Sequence, residues 1–203
     1  MLRIVAGEWG GRRIQAPSGR EVRPTTDRVR EAWMSALHPA LPGARVLDLF
    51  AGSGALGLEC LSRGAREVVF VERSRPVVAV LRRNIETLGA ASRCRVVTGD
   101  ALVELARLDG RFDLALADPP YASGRASGRA SGQAADLVRL FRRSPFAEEL
   151  WLEHARDQTM PPAVPPRRQR RYGDTLLSTY HATDMADSPH GNPSPTSDEE
   201  VAP

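Results

Sequence analysis

The sequence predicts an α/β fold, a mostly parallel sheet flanked by helices, with a ligand site at the carboxyl ends of the strands. In residues 46–57 an apolar run ends at Asp48, and glycines then lead into a segment with helical apolar spacing. The predicted strand Phe112–Ala117 ends in Asp118-Pro119-Pro120-Tyr121. Two further predicted strands between these stretches also end beside an acidic residue. Because open α/β sheets bind ligands at the carboxyl ends of their strands, the pattern predicts a single site.

The first of these turns is rich in glycine. Gly52, Gly54 and Gly57 form a GxGxxG pattern between a strand and a helix, which presents backbone N–H groups and a helix N-terminus to a ligand. Glu72 follows the next predicted strand, Glu67–Val71, at a position where an acid typically binds ribose hydroxyls. This pattern alone fits a nicotinamide oxidoreductase as well as an S-adenosylmethionine (SAM) enzyme.

The residues at other strand ends favour a SAM enzyme over a nicotinamide oxidoreductase. Asp48 stands directly before the turn, where its carboxylate can organise the loop and the amino end of a methionine-like ligand. A third predicted strand, Arg95–Thr98, leads into Gly99-Asp100-Ala101, where an adenine edge would lie. Any one of the four acids could be only a strand-end turn residue. Four of them in succession favour a binding site.

The Asp-Pro-Pro-Tyr motif suits the binding of an exocyclic amine. The carboxylate of Asp118 and a backbone carbonyl can accept hydrogen bonds from the amine, while the ring of Tyr121 stacks on a flat base. Proline fixes φ and removes backbone donors, which holds these acceptors in place. The alternative is a Pro-Pro turn in which Tyr121 is a surface aromatic residue.

With these motifs the chain resembles class I SAM-dependent methyltransferases that act on an exocyclic amine of a nucleobase. More narrowly, it is similar to bacterial 16S ribosomal RNA guanine-N2 methyltransferases of the RsmD type. The resemblance spans roughly residues 3–181. The segments that carry it are Arg3–Gly7, Gly10–Arg13, Arg23–Glu31, Asp48–Ala65, Asp118–Tyr121 and Tyr172–Thr175.

The resemblance implies a Rossmann-like, seven-stranded, mostly parallel sheet with a closing antiparallel hairpin and a small N-terminal extension. The predicted division of the chain is a basic extension and helix (1–40), a methyltransferase core (41–181) and an acidic Pro/Ser tail (182–203), which the resemblance does not cover and whose composition predicts disorder. The resemblance implies a catalytic group made of Asp118, Pro119, Pro120 and Tyr121. The cofactor-binding residues that it implies are Asp48, Phe50, Ala51, Gly52, Ser53, Gly54, Glu72, Arg73, Asp100, Ala101 and Asp118.

The charge distribution favours a polyanionic partner. All 28 basic residues are arginine, and the net charge is +3. The five acidic residues of segment 182–203 leave +8 on residues 1–181. The arginines expected to contact RNA are Arg12, Arg13, Arg23, Arg28 and Arg30. Two interpretations stay open for the last three: they contact RNA, or they pair with Asp27 and Glu31 around the start of a helix whose N-cap is Thr25 or Thr26.

After Tyr121 the Ala-Ser-Gly-Arg repeat predicts a flexible loop. A helix (Ala134–Arg142), a strand (Leu150–His154) and two final strands (Arg167–Tyr172 and Thr175–His181) are expected next. Cys60 and Cys94 have no metal-ligand spacing, so free thiols and no metal site are predicted.

The absence of a signal-peptide pattern and of an apolar stretch of about 20 residues predicts a cytoplasmic protein without a membrane partner. The expected cofactor is SAM. The expected partner is 16S ribosomal RNA, within a 30S particle or an assembly intermediate, and the enzyme is expected to be a monomer. Two alternatives remain: a DNA adenine-N6 methyltransferase, whose family shares the Asp-Pro-Pro-Tyr motif, and a non-catalytic SAM- or RNA-binding module.

Overall fold

The structure, a computed structural model, describes residues 1–17, 27–120 and 132–186. Within these residues a seven-stranded sheet carries helices on both faces, and a two-stranded ribbon lies near the N-terminus. The strands are β1 (Leu2–Arg3), β2 (Arg13–Ile14), β3 (Arg45–Leu49), β4 (Glu67–Glu72), β5 (Cys94–Thr98), β6 (Phe112–Ala117), β7 (Ala147–Ala155), β8 (Arg168–Tyr172) and β9 (Thr175–His181). The α-helices are α1 (Asp27–Leu37), α2 (Ala55–Ser62), α3 (Arg75–Leu88), α4 (Ala101–Glu104), α5 (Gln133–Arg143) and α6 (Thr183–Ala186).

The large sheet has the strand order β5-β4-β3-β6-β7-β9-β8. The first five strands in this order are parallel, while β9 is antiparallel to both β7 and β8. This confirms the predicted seven-stranded, mostly parallel sheet with its closing antiparallel hairpin. The strand order reverses between β3 and β6, which is where sheets of this type open a crevice for a ligand.

Both faces of the sheet are covered, which explains why its central strands read as nearly continuous apolar runs. One core contains Val46 and Leu116 with residues of α1, α2 and α3. The other contains Leu47 and Ala115 with residues of α4 and α5. Ile4 and Trp9 belong to the first core, so the N-terminal segment packs on the face that carries α2 and α3.

The predicted element boundaries hold to within a few residues. The largest difference is β7, which extends over Ala147–Ala155 instead of Leu150–His154. This strand pairs with β6 on one side and β9 on the other, and those two partnerships extend it at both ends. The capping threonines, most of the Ala-Ser-Gly-Arg repeat and residues 187–203 lie outside the described residues. The first residues of the predicted disordered tail differ from that expectation, because Ala182 is buried and Thr183–Ala186 form α6. The division of the chain into three segments stays a prediction.

Across the described ranges, the structure contains no helix with the length and apolar character needed to span a membrane. In the same ranges it contains no group of three or more His, Cys, Asp or Glu side chains placed to hold a metal ion.

Candidate active site

Four acidic residues lie along the carboxyl edge of the parallel strands, where the sequence predicts them. Asp48 is near the end of β3, and Glu72 is the last residue of β4. Asp100 lies two residues after β5, and Asp118 directly follows β6. Because β3 pairs with both β4 and β6, these acids gather around the crevice at the centre of the sheet.

The turn after β3 is shaped by close approach and by backbone strain. A Cβ atom on Gly57 would lie 2.4 Å from the ring of Phe70 and 2.9 Å from Asp48 Oδ2, so glycine lets α2 begin directly against the sheet. Phe50 has a φ of 59° and is the one described residue other than glycine with a positive φ. This conformation costs of order 1–3 kcal/mol, a strain that is common at ligand sites.

Asp48 is a buried carboxylate with little compensation. It is 1% exposed, and its Oδ2 accepts a hydrogen bond from the Gly57 backbone N–H at 2.9 Å. Burial raises the pKa of Asp48 from 3.8 to about 7; the Gly57 N–H opposes this shift, while the charges of Asp118 and Glu72 add to it. A cationic group that entered the crevice would therefore interact favourably with the ionised form.

Glu72 holds the glycine-rich turn against β4. Its Oε2 accepts from the Gly52 N–H at 3.0 Å, and its Oε1 accepts from the Ser74 N–H at 2.8 Å. A carboxylate has about four acceptor sites, so these two bonds leave capacity for ligand hydroxyls. The hydrogen bonds fix the position of the carboxylate before any ligand arrives.

A small cavity opens between the ends of β4 and β5. Asp100 forms part of its wall while it also caps α4, since its Oδ1 accepts from the Leu102 N–H at 3.1 Å. Its lining combines apolar side chains with acidic ones, a combination that suits a flat heterocycle joined to a sugar. The cavity is lined by Phe50, Val71, Glu72, Arg73, Gly99, Asp100 and Ala101.

The Asp-Pro-Pro motif lies on the other side of Asp48 from this cavity. Asp118 is partly buried, Pro119 is buried and Pro120 is exposed. Asp118 is close enough to Asp48 for its charge to raise the pKa of that residue. Tyr121, the predicted stacking ring, lies outside the described residues.

The arginines that the sequence predicts to contact RNA have different environments in the structure. Arg12 and Arg13 are both exposed, and the guanidinium of Arg12 donates to the Thr87 carbonyl on α3. Arg30 is 3% exposed and donates to the Arg3 carbonyl at 3.3 Å. Burial of Arg30 favours the structural interpretation at that position. Arg23 and the side chain of Arg28 lie outside the described part of the chain.

Glu59 and Ser62, on α2, fix the N-terminal segment, and neither was among the predicted site residues. Glu59 accepts from the N–H groups of Val5 (2.7 Å) and Ala6 (3.0 Å) and pairs with Arg63 at 2.8 Å. The Ser62 hydroxyl accepts from the Trp9 N–H at 2.9 Å. The one local signal was an acid within an apolar helical run, because a charge at such a position needs partners from elsewhere.

Asn84 connects this segment to the glycine-rich turn. Its Oδ1 accepts from the Gln15 N–H at 2.8 Å, and its Nδ2 donates to the Gln15 carbonyl at 3.0 Å and to the Ser53 carbonyl at 2.9 Å. Asn84 is 1% exposed, so these bonds are sheltered from water. No sequence signal points to this residue, because its partners are far away along the chain.

The strand order and the site at the centre of the sheet define a class I methyltransferase fold. The chain belongs to the family described as "Conserved hypothetical protein 95", which matches residues 2–181. Family membership and fold therefore confirm the resemblance drawn from the motifs.

Named relatives and a solved structure agree with this assignment. Ribosomal RNA small subunit methyltransferase D of Escherichia coli is 43% identical over 123 residues, which are 61% of this chain and 62% of the relative. "Putative rRNA methyltransferase YlbH" of Bacillus subtilis is 32% identical over 188 residues, 88% of this chain and 98% of the relative. A hypothetical protein of a Thermus species superposes with a TM-score of 0.73 at 30% identity, covering 89% of this chain and 99% of that one. The chain thus spans somewhat less than two thirds of the Escherichia coli relative.

Proposed function

We propose that this protein transfers a methyl group from SAM to the exocyclic N2 amine of a guanine in 16S ribosomal RNA. The observation that carries the proposal is the arrangement of the crevice, in which Asp118-Pro119-Pro120 adjoins Asp48 on one side while a cavity for a flat heterocycle opens on the other. The substrate amine and the methyl donor would thus meet at the centre of the sheet.

The residues around the crevice fit SAM. Glu72 has acceptor capacity for the ribose hydroxyls, and Asp100 and Ala101 line the part of the cavity that suits adenine. The backbone of residues 51–54 would face the methionine part. Asp48 would favour its ammonium group, because a nearby cation offsets the burial and repulsion that raise the pKa of this carboxyl.

When bound, SAM supplies an electrophilic methyl group on a sulfonium. The chain supplies the orientation of the nucleophile. An exocyclic amine is a weak nucleophile because its lone pair is delocalised into the ring. Asp118 and the Pro119 carbonyl accept hydrogen bonds from its hydrogens and favour a pyramidal nitrogen whose lone pair is directed at the methyl group. Positioning of this kind can supply roughly 7–11 kcal/mol of rate enhancement.

Asp118 acts in this scheme as an acceptor and does not have to act as a base. As the new N–C bond formed, the bond from the methyl carbon to sulfur would break, the donor would leave as a neutral thioether, and the amine nitrogen would become positively charged. The charged product is acidic enough to release its proton to water. Tyr121 would stack on the target base after the base leaves its neighbours. Neither Cys60 nor Cys94 is among the residues that line the cavity, and no covalent intermediate is required.

Support for ribosomal RNA as the substrate comes from the name of the Escherichia coli relative and from the net charge of +8 on residues 1–181. The proposed setting is the cytoplasm. The proposed form of the substrate is a 30S particle or an assembly intermediate, methylated by a monomer of this chain.

The first test is methyl transfer from radiolabelled SAM to purified 16S RNA and to 30S particles from cells that lack the enzyme. Nucleoside analysis should then find the label in N2-methylguanosine. Transfer to adenine in DNA, with none to RNA, would replace the proposal by the adenine-N6 alternative. SAM binding without transfer to any nucleic acid would indicate a binding module.

Two variants test the assigned roles. Asp118→Ala should lower kcat by about 10²-fold or more while SAM binding, measured by calorimetry, stays largely intact, because the main contribution of Asp118 is to the substrate amine. The matched control is Asp113→Ala, which removes an exposed acid from the opposite end of the same strand and should leave kcat unchanged.

Glu72→Ala should weaken SAM binding, and an unchanged Kd would disprove its ribose role.

A further inference from the structure

The last hairpin of the sheet carries a dense row of arginines that no step of the proposed reaction uses. Residues 167–171 read Arg-Arg-Gln-Arg-Arg, and all five are exposed. Four of them belong to β8, which is an edge strand of the sheet and, among the described residues, pairs with β9 alone. A charged edge strand discourages pairing with a second chain, but that purpose does not require so many like charges together.

Two members of this row are available to a ligand. Arg167 lies 3.8 Å from Asp184, and Arg171 donates to the Gly173 carbonyl at 2.9 Å. Arg168 and Arg170, by contrast, make no ion pair with any residue in the described ranges. They are two residues apart on one strand, so their side chains project to the same face about 7 Å apart.

The register of the sheet places these arginines beside the active site. Arg170 pairs with Leu177, and Leu177 pairs with Glu153 on β7. The residue before Glu153 pairs with Ala117, the last residue of β6, so Arg170 is level with Asp118. Three strand spacings separate them, which corresponds to about 14 Å across the sheet.

The charge around the crevice explains why a polyanion would need such a surface. Asp48, Glu72, Asp100 and Asp118 make the centre of the sheet acidic, and this repels the phosphates on either side of a target base. Two guanidinium groups on β8, one of them level with Asp118 (Arg170) and the other level with Leu116 (Arg168), would offset that repulsion. Arginine also matches the geometry of phosphate, to which it donates two parallel hydrogen bonds.

We propose that Arg168 and Arg170 form a phosphate-binding surface for the strand of RNA that adjoins the target nucleotide. The proposal rests on the proposed function, because it takes Asp118 as the position of the target base. The two guanidinium groups would contact the backbone a few nucleotides from that base and set the direction in which the strand crosses the sheet.

The test compares two double variants with equal charge changes. Arg168→Gln/Arg170→Gln removes the proposed surface. Arg82→Gln/Arg83→Gln removes two exposed arginines from α3, which packs near the opposite edge of the sheet. The probe is unmodified 16S RNA transcribed in vitro, whose Kd is measured by filter binding between about 50 and 200 mM salt.

Loss of two phosphate contacts should lower the slope of log Kd against log salt concentration by about 1.4 if that RNA segment is single-stranded. KM for the RNA should rise by about tenfold at low salt, with kcat and the Kd for SAM unchanged. The α3 variant should match the wild type. Arg168→Lys/Arg170→Lys retains the charge and should keep most of the salt dependence.

Two results would overturn the proposal. One is a β8 double variant with the slope and KM of the wild type; the other is an α3 variant that loses as much as the β8 variant, since the effect would then come from total charge. If the wild type itself methylates no RNA, the proposed function fails and this inference fails with it. Wild-type methylation with unaffected β8 variants would refute the inference alone.

Discussion

Two buried carboxylates on neighbouring elements, Asp48 on β3 and Glu59 on α2, have opposite environments. Glu59 is 0% exposed and is satisfied by two backbone N–H groups and by the guanidinium of Arg63. Asp48 is 1% exposed and accepts a single hydrogen bond within the described ranges, from Gly57, with two acids near it. Burial costs are thus offset at one carboxylate and left largely uncompensated at the other.

The difference separates a carboxylate whose partners all come from the chain from one whose burial is largely uncompensated. Glu59 fastens the N-terminal segment to the domain. The ionised form of Asp48 costs free energy in the folded protein, and under the proposed function the ammonium group of SAM would offset that cost. Active sites commonly retain such an instability because it favours binding. Four variants test this difference between the two carboxylates and the segments around them.

Glu59→Ala should have the largest effect. It removes one partner of a buried ion pair and leaves Arg63, whose side chain is 12% exposed, without its carboxylate. The expected loss in the free energy of unfolding is about 3–5 kcal/mol. Urea denaturation would measure it, with exposed Glu86→Ala as a control that should change stability by less than about 0.5 kcal/mol. A loss no larger than the control's would show that Glu59 is not a structural charge.

Gly7→Ala should be the next most destabilising change. A Cβ atom at Gly7 would lie 1.8 Å from the Ser62 carbonyl oxygen, and φ there is +82°. Displacement of the segment from α2 should cost about 3 kcal/mol. Gly11 supplies a control because its φ is +84° and no atom lies within 4 Å of an added Cβ. Gly11→Ala should cost only about 1 kcal/mol, and equal thermal shifts for both variants would refute the docking contact.

Asn84→Ala tests whether the N-terminal segment is coupled to the glycine-rich turn. It removes the hydrogen bonds that join Gln15 and Ser53 to one side chain, at an expected cost of about 2 kcal/mol in stability. Because Ser53 belongs to the glycine-rich turn, the Kd for SAM should rise as well. If calorimetry found wild-type SAM affinity in a folded Asn84→Ala protein, the segment and the turn would be independent.

Asp48→Asn should change the free energy of unfolding least of the four variants. Unlike the other three, it should increase it. Asparagine keeps an acceptor for the Gly57 N–H but removes the buried charge, so the variant should be more stable than the wild type by about 1–2 kcal/mol at pH 8. Its affinity for SAM should fall at the same pH. Measurement of both quantities on one preparation would separate folding from binding.

The destabilisation caused by the buried charge of Asp48 should increase as pH rises. The pKa of Asp48 is about 7 in the folded protein and 3.8 is its ordinary value, so the folded form retains a proton that the unfolded form releases between those values. Wild-type stability should therefore fall as pH rises from about 4 to about 7 through this group. The advantage of Asp48→Asn should grow over the same interval. An advantage that does not vary with pH would mean that Asp48 is not the titrating group.

The sequence was sufficient to predict the positions of the four strand-end acids. Each lies at or just beyond the end of a segment with the composition of a strand, and parallel strands bring their carboxyl ends to one edge whatever the details of packing. The positive φ of Phe50 had no such signal, because a bulky aromatic residue is disfavoured there and tertiary contacts must impose the conformation.

The contacts of the N-terminal segment were beyond sequence reasoning for a different reason. Glu59 and Val5 are 54 residues apart, and Asn84 and Gln15 are 69 apart. No periodicity relates such pairs, and an asparagine on a helix ordinarily faces water. The same limit applies to Arg30, for which the sequence left contact with RNA and a structural role open.

Docking of the N-terminal segment also bears on the order in which the chain acquires its structure during synthesis. Residues 5–9 are translated before their partners, since Glu59 and Ser62 follow some fifty residues later and Arg93, which packs over the Trp9 ring, later still. The segment therefore leaves the ribosome without the surface that it binds, and it stays exposed until that surface has been translated. It cannot take its place in the core before those later residues have been made.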